Sequence, residues 1–153
     1  MKIFLTGASG FVGSHLIESL IAEGHVLVCH FRTPQNIDIQ SHPNTAVWSG
    51  NLNDVEGLTK RLQGLDVVIH CAAEMKLWDS EKALLETNVY MTKNILESAK
   101  QAGIKKFIYM SDASIAKNPL EQNLNISESR ALPSLQNFPY SHSKSQAEQW
   151  VLK

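Results

Sequence analysis

Short apolar runs alternate with longer stretches of helical period along the chain. Lys2–Thr6 (KIFLT) predicts a first strand. Phe11–Glu23 predicts a helix, with Val12, Leu16 and Leu20, and Ile17 and Ile21, at helical spacing, and Gly24 stands where a helix-ending glycine is expected. Val26–Phe31 predicts a second strand and Ala46–Ser49 a short third. Val55–Gln63 predicts a weaker helix with Asp54 as its N-cap. Asp66–Cys71 (DVVIHC) is apolar on both faces, as a strand covered by helices on each side must be. Ser80–Ala102 predicts one long helix ended by Gly103, and Lys106–Ser111 a fifth strand. The polar stretch 114–139 holds three of the five prolines and predicts a loop, and Tyr140–Lys153 predicts a last helix.

Alternation of this kind specifies an α/β fold. The expected architecture is a doubly wound, Rossmann-like parallel sheet with right-handed crossovers and strand order 3-2-1-4-5. A sheet of this type normally continues to a sixth strand, and none follows the last helix. The expectation is therefore one dinucleotide-binding domain over 1–153, truncated before that strand and without a substrate domain. In such a domain the fifth strand is an open edge that seeks a partner.

Length and charge narrow the function. The chain has 153 residues, enough for one domain that buries roughly 70% of its unfolded surface. A net charge of −1 argues against nucleic acid, whose phosphates call for a clear Lys/Arg excess. No apolar run approaches the roughly 20 residues of a membrane span, and the N-terminal MKIFLTGASGFVG leads into a glycine turn rather than a cleavage site. A cytoplasmic protein without a membrane partner is expected. Cys29 and Cys71 sit in or beside apolar runs and read as reduced, buried thiols. Neither they nor the scattered histidines have metal-ligand spacing, so no metal is expected. Trp48, Trp78 and Trp150 read as packing or interface residues.

The strongest chemical signal is Thr6-Gly7-Ala8-Ser9-Gly10-Phe11-Val12-Gly13, between the first strand and the first helix. Gly7 permits the tight turn, Gly10 leaves room for a pyrophosphate, and Gly13 lets the helix approach the sheet. Ser9, Phe11 and Val12 lie in the same turn and count with the glycines as cofactor-binding positions. Free amides and the helix dipole favour an anion there. The second strand ends in His30-Phe31-Arg32-Thr33. No acid stands ready for a ribose 2′-hydroxyl, while the Arg32 guanidinium can fork onto a 2′-phosphate, so NADP is preferred over NAD. Arg32 also reads as a solvated loop residue.

These features, with GNLND (50–54), HCAA (70–73), Asn88, YMSDAS (109–114) and YSHSK (140–144), resemble the extended short-chain dehydrogenase/reductase family over almost the whole chain. That family includes NAD-dependent epimerases and dehydratases, 3β-hydroxysteroid dehydrogenases and dihydroflavonol reductase-like enzymes. The resemblance implies that Asn51 and Leu52 hold the adenine, although the family usually has Asp where Asn51 stands. It implies that Cys71, Ala72 and Ala73 line the cofactor. Asn88, on one helical stripe with Leu84, Met91 and Ile95, is implied to support the active-site backbone and proton path; it also reads as a satisfied core amide.

Tyr140 and Lys144 match the family's catalytic pair, with Lys144 also on the nicotinamide ribose. At i and i+4 they share a helix face. A nearby ammonium favours phenolate, letting Tyr140 exchange a proton with an alcohol or carbonyl. The position after the fifth strand is irregular. Ser111 fills the first hydroxyl position, but Asp112 fills the second, where the family has Ser or Thr. A carboxylate there opposes phenolate. Either Ser111 or Ser114 takes the hydroxyl role, Asp112 takes a different one, or the site is impaired. Ala113 and Ser114 do not match the Asp-Glu pair of the dehydratase branch.

The resemblance thus implies an NAD(P)-dependent oxidoreductase acting at a hydroxyl/carbonyl carbon of a small-molecule substrate. It also allows a homodimer through helices 80–102 and 140–153. The alternative is a non-catalytic dinucleotide-binding module or an inactive fragment of such an enzyme.

Overall fold

The structure, a computed structural model, describes residues 1–33, 42–75, 80–117, 122–128, 135 and 137–153. Strands β1 (Lys2–Thr6), β2 (Val26–His30), β3 (Thr45–Trp48), β4 (Val67–His70) and β5 (Lys106–Tyr109) form one sheet. All pairings are parallel and the order is β3-β2-β1-β4-β5, as the alternation predicts. Helix α1 (Phe11–Ala22) follows β1 and α2 (Val55–Leu62) follows β3. Asp54 caps α2, its Oδ1 accepting the Gly57 N–H at 3.0 Å.

Side chains alternate across a strand, so a central strand builds two cores. Ile3 and Leu5 of β1 pack under α1 with Ile17, Leu27, Cys29, Val67 and Ile69. Phe4 points the other way, into Val28, Leu58, Leu62, Val68, Ile95 and Ala99. The register sets Phe4 beside Val28 and Val68. The aliphatic stripe predicted on α1 is only partly a core face. Ile17 is buried, whereas Val12 is 41% exposed because it sits at the mouth of the cleft described below. Trp48 packs edge-on against Phe4 at 5.7 Å, and Trp150 is partly exposed; Trp78 lies outside the described residues.

The stretch predicted as one α-helix over 80–102 is a helix in three parts. They are α3 (Glu81–Leu84), a π-helical segment Leu85–Tyr90, and α4 (Met91–Gln101). Leu84, Asn88 and Ile95 still share the buried side, so the apolar stripe survives the wider turn. The predicted loop begins with a 3-10 turn, Ala113–Ala116, and the last helix, α5, spans Pro139–Val151 with proline in its first turn. Among the described residues β5 has a neighbour on one side only, and Ile108 and Met110 at this edge are 38% and 40% exposed. Among the described residues, no helix is long and apolar enough to cross a membrane.

Candidate active site

The strands end together, and at their carboxyl ends they open a cleft of about 500 Å³, where ligands bind in open parallel sheets. Gly7, Ser9, Gly10, Phe11, Val12 and Gly13 form one wall, reached from β1. Cys71, Ala72 and Ala73 enter from β4, and Met110, Ser111 and Asp112 from β5. Arg32 and Leu52 lie at the β2–β3 side, and Tyr140 and Lys144 come from α5.

The glycine turn is built on close approach. Gly7 has φ +72°, and a Cβ on it would come within 2.7 Å of the Ala72 nitrogen. A Cβ on Gly13 would collide with the Gly7 carbonyl, so α1 can sit this near the sheet only with glycine there. Gly10 N–H closes the turn onto the Gly7 carbonyl at 2.9 Å. Among the described residues no side chain caps α1, which leaves its first-turn amides for an outside acceptor. An uncapped helix end, a glycine wall and the small Ala72 and Ala73 together fit a dinucleotide diphosphate. Arg32 is exposed and faces the same cleft.

Beneath the turn lies a directional chain of buried hydrogen bonds. Ala72 N–H donates to Thr6 Oγ1 at 3.3 Å, and Thr6 Oγ1 lies 2.6 Å from His70 Nδ1. His70 Nε2 lies 2.8 Å from Thr92 Oγ1, which donates to the Asn88 carbonyl at 2.7 Å. Because Thr92 has spent its proton on Asn88, it must accept from Nε2–H. Thr6 therefore donates to Nδ1, which assigns the neutral Nε2–H tautomer. Burial, then the Lys144 and His30 charges, pull the His70 pKa down to about 3. Asn88 extends the chain. Its side chain accepts from Glu74 N–H at 2.8 Å and donates to the Glu74 carbonyl at 3.0 Å and to Ser143 Oγ at 2.9 Å. Ser143 in turn donates to the Tyr140 carbonyl at 2.7 Å. Asn88 thus ties the β4 loop to the helix carrying Tyr140 and Lys144.

The Tyr140–Lys144 pair differs from expectation in one respect. Lys144 is buried; its Nζ donates to the Met110 carbonyl at 2.6 Å and lies 4.2 Å from the centre of the Tyr109 ring. Burial lowers its pKa to about 8, against the pull of Asp112, Cys71 and Glu148. Tyr140 does not lean on this ammonium. Its hydroxyl donates to Asp112 Oδ2 at 3.4 Å, and burial followed by the Asp112 charge and hydrogen bond pushes its pKa up to about 12. The expected drift toward phenolate is reversed here, because burial and then the hydrogen-bonded Asp112 carboxylate disfavour the charged phenol. Asp112 Oδ1 accepts the Ser114 N–H at 2.8 Å, and Ser114 Oγ pairs with Ser141 Oγ at 2.7 Å. Ser111 Oγ is buried without a partner among the described residues.

Two other expectations change in detail. Asn51 is exposed and does not line the cleft, because its Oδ1 is held by the Asn53 N–H at 2.9 Å; Leu52 is the buried neighbour that does. Cys29 is buried, and burial raises its pKa to about 11, but Cys71 is only half-buried because it opens onto the cleft.

A family model described as the 3-beta hydroxysteroid dehydrogenase/isomerase family matches residues 4–153. The chain belongs to this family. It is 30% identical over 156 residues to a decarboxylating sterol-4-alpha-carboxylate 3-dehydrogenase of Dictyostelium discoideum, covering 99% of this chain and 47% of the relative. It is 37% identical over 110 residues to a putative dihydroflavonol 4-reductase of Synechocystis, covering 71% of this chain and 32% of the relative. Among solved structures it superimposes on a UDP-glucuronic acid 4-epimerase from Bacillus cereus in complex with NAD. The TM-score there is 0.82 at 28% identity, over 99% of this chain and 52% of the other. The chain spans under half the length of these curated relatives.

Sequence reasoning passed over several residues of this family member's cleft. His30, Thr87, Met91 and Met110 line it, and His70 supports it from below. His30 and Met110 were discoverable by position, one at and one just after a strand's carboxyl end. His70 opens HCAA, but the motif draws attention to the small residues after it and not to the ring.

The neutral His70 makes a pH prediction. Unfolded, it binds a proton near its ordinary 6.5; folded, it refuses one until about 3. Stability is therefore lost as pH falls below 6.5 toward 3. Denaturant unfolding at pH 7 and pH 5 should show a fall about 1–2 kcal/mol larger in the wild type than in His70→Gln. Equal falls would refute the neutral assignment.

Proposed function

We propose that this chain binds NADP(H), with NAD(H) as the weaker alternative, and carries the acid–base residues of an oxidoreductase acting at a hydroxyl/carbonyl carbon. The observation behind this reading is that the Gly7–Gly13 turn and the Tyr140–Lys144 pair open onto one continuous cleft. Gly7, Gly10, Gly13 and the α1 amides would hold the diphosphate, Arg32 the 2′-phosphate, and Leu52 the adenine side. Ala72, Ala73 and Lys144 would border the ribose and nicotinamide. When bound, the nicotinamide supplies hydride exchange. Tyr140 holds a proton at Oη for the substrate oxygen, Lys144 fixes the Met110 carbonyl, and Asn88 keeps α5 at its distance from the β4 loop. Relatives named as dehydrogenases and reductases support the reaction class. Arg32 in the cleft supports the 2′-phosphate preference.

A second reading, a dinucleotide-binding module without catalysis, draws on Asp112, which stands where a hydroxyl is usual and engages the Tyr140 O–H. Turnover separates the two. We also propose a homodimer through the helices spanning 80–102 and 140–153. Tyr90 and Trp150 are 55% and 39% exposed there, with Lys93 Nζ 5.8 Å and 3.9 Å from their ring centres.

Three measurements follow. Calorimetric titration of Arg32→Asp should show the affinity for NADPH falling roughly ten- to a hundredfold while NADH is held or improved; unchanged discrimination would remove Arg32 from the site. In a ketone-reduction assay, Tyr140→Phe should lose about 10²–10⁴-fold in rate while binding cofactor within a few-fold of wild type; an unaltered rate would dismiss Tyr140 as the acid–base group. Sedimentation should give a dimer that Trp150→Glu converts to monomer, and a wild-type monomer at every concentration would end the dimer proposal.

A further inference from the structure

Asp112 departs from the family pattern at the one position where the departure touches the reacting group. Its carboxylate is not free to wander. One oxygen receives the Ser114 N–H at 2.8 Å and caps the 3-10 turn, which leaves Oδ2 directed at Tyr140. The neighbouring hydroxyl, Ser111 Oγ, is buried at the cleft without a partner among the described residues. A buried hydroxyl without a partner is costly, and a ligand oxygen arriving in the cleft would relieve that cost. Ser114 is otherwise engaged, with Ser141.

We propose that Asp112 is a positioning residue that commits the Tyr140 O–H to its carboxylate, so that the phenol enters the reaction as a proton donor and Ser111 is the hydroxyl left to meet the substrate oxygen. This rests on the oxidoreductase reading above and deepens it. A phenol that keeps its proton suits the carbonyl-reducing direction: the O–H turns from Asp112 Oδ2 to the substrate oxygen and gives it the proton, the reduced nicotinamide of the proposed cofactor would supply the hydride to the carbonyl carbon, and the phenol regains its proton from solvent. Alcohol oxidation needs the phenolate, which a carboxylate beside it opposes.

The other ionisable groups around Tyr140 do not undo this. Lys144, one turn along α5, is turned to the Met110 carbonyl and the Tyr109 ring. Glu148 lies a further turn along α5, and Tyr109 of β5 is itself raised by burial and by Tyr140 and Glu148, so each of these two opposes phenolate or is neutral. From the β4 loop, Cys71 is held toward its neutral thiol by burial, and Glu74 brings a negative charge to the cleft. From α3, Glu81 is paired with His142 at 3.3 Å. Asp112 itself stays ionised. Burial works against its charge, but the Ser114 and Tyr140 hydrogen bonds and the Lys144 charge hold its pKa below the ordinary carboxylate value.

The test is a pH titration of ring-labelled tyrosine by carbon NMR on the full chain, which holds three tyrosines, with Tyr140→Phe assigning the signal. Tyr140 should remain protonated well above the exposed Tyr90. Asp112→Asn, which keeps an acceptor for the Ser114 amide, should lower its midpoint by a pH unit or more, a tenfold change in proton affinity. Asp112→Ser should do the same and serves if the first variant fails to fold. Ser111→Ala should leave the midpoint in place. The proposal is overturned if Tyr140 titrates with Tyr90 in the wild type, or if its midpoint is the same with and without Asp112. It is also overturned if Ser111→Ala moves the midpoint as far as the Asp112 variants do. A failure to bind dinucleotide would sink the functional reading without altering this titration, and an unmoved titration with intact binding would sink this inference alone.

Discussion

The cleft depends on one buried imidazole that carries no charge. His70 lies at the end of β4 with no solvent exposure, and it is tolerable there only because both ring nitrogens are engaged. Thr6 on one side belongs to β1, directly before the glycine turn. Thr92 on the other belongs to α4, and through Asn88 it reaches α5. A neutral ring is a donor at one nitrogen and an acceptor at the other. That asymmetry gives the chain from Ala72 to Asn88 a single direction. A charged ring would offer two donors, and Thr6, already accepting from Ala72, would have to turn its own proton away. The strand ends beside the glycine turn and the helix that carries Tyr140 and Lys144 are thus held by one tautomer.

The sheet was legible because its strands are short, nearly all apolar and separated by helical spacings, a combination that parallel sheets covered on both faces produce. Strand order followed from the right-handed crossover rule. The π-helical segment was not legible. An added residue in one turn leaves Leu84, Asn88 and Ile95 on the same buried side, so the periodicity that announces the helix is insensitive to it. The glycine turn, Arg32, Tyr140 and Lys144 were legible by position, and the structure brings them to one cleft. Where the Asn51 side chain turns could not be read from its position, because an Asn in a turn competes for nearby backbone amides, and its Oδ1 accepts the Asn53 N–H. His70 was overlooked because its partners lie 64 and 22 residues away. Nothing local marks such a residue.

The electrostatics of the pair also could not be read from spacing. Residues at i and i+4 share a helix face, and an ammonium one turn from a phenol suggests mutual support. Which neighbour each group chooses is a tertiary matter. Lys144 takes a carbonyl and an aromatic face, and Tyr140 takes a carboxylate. Burial disfavours charge on both groups and acts in opposite directions on their pKa values, to about 8 for the amine and about 12 for the phenol. At neutral pH the amine is still an ammonium and the phenol is still protonated. The site therefore rests as a cation and a proton donor, with Asp112 as the fixed negative charge between the β5 end and α5.

That arrangement divides the cleft by the kind of group each half uses. The half proposed for the dinucleotide is made of backbone: a positive-φ glycine, a helix with no side-chain cap among the described residues, and small residues at the β4 end. Backbone amides and the absence of Cβ atoms recognise a diphosphate whatever the surrounding side chains are. The other half is made of side chains, namely Ser111, Asp112, Tyr140, Thr87 and Met91, and there a single carboxylate in place of a hydroxyl changes what the phenol can do. The proposed dinucleotide binding and the proposed acid–base role are consequently separable in this fold. Substitution at 112 can alter the proton economy of the site while the glycine turn, nearly a hundred residues earlier in the chain, keeps its geometry through the His70 chain, which Asp112 does not touch.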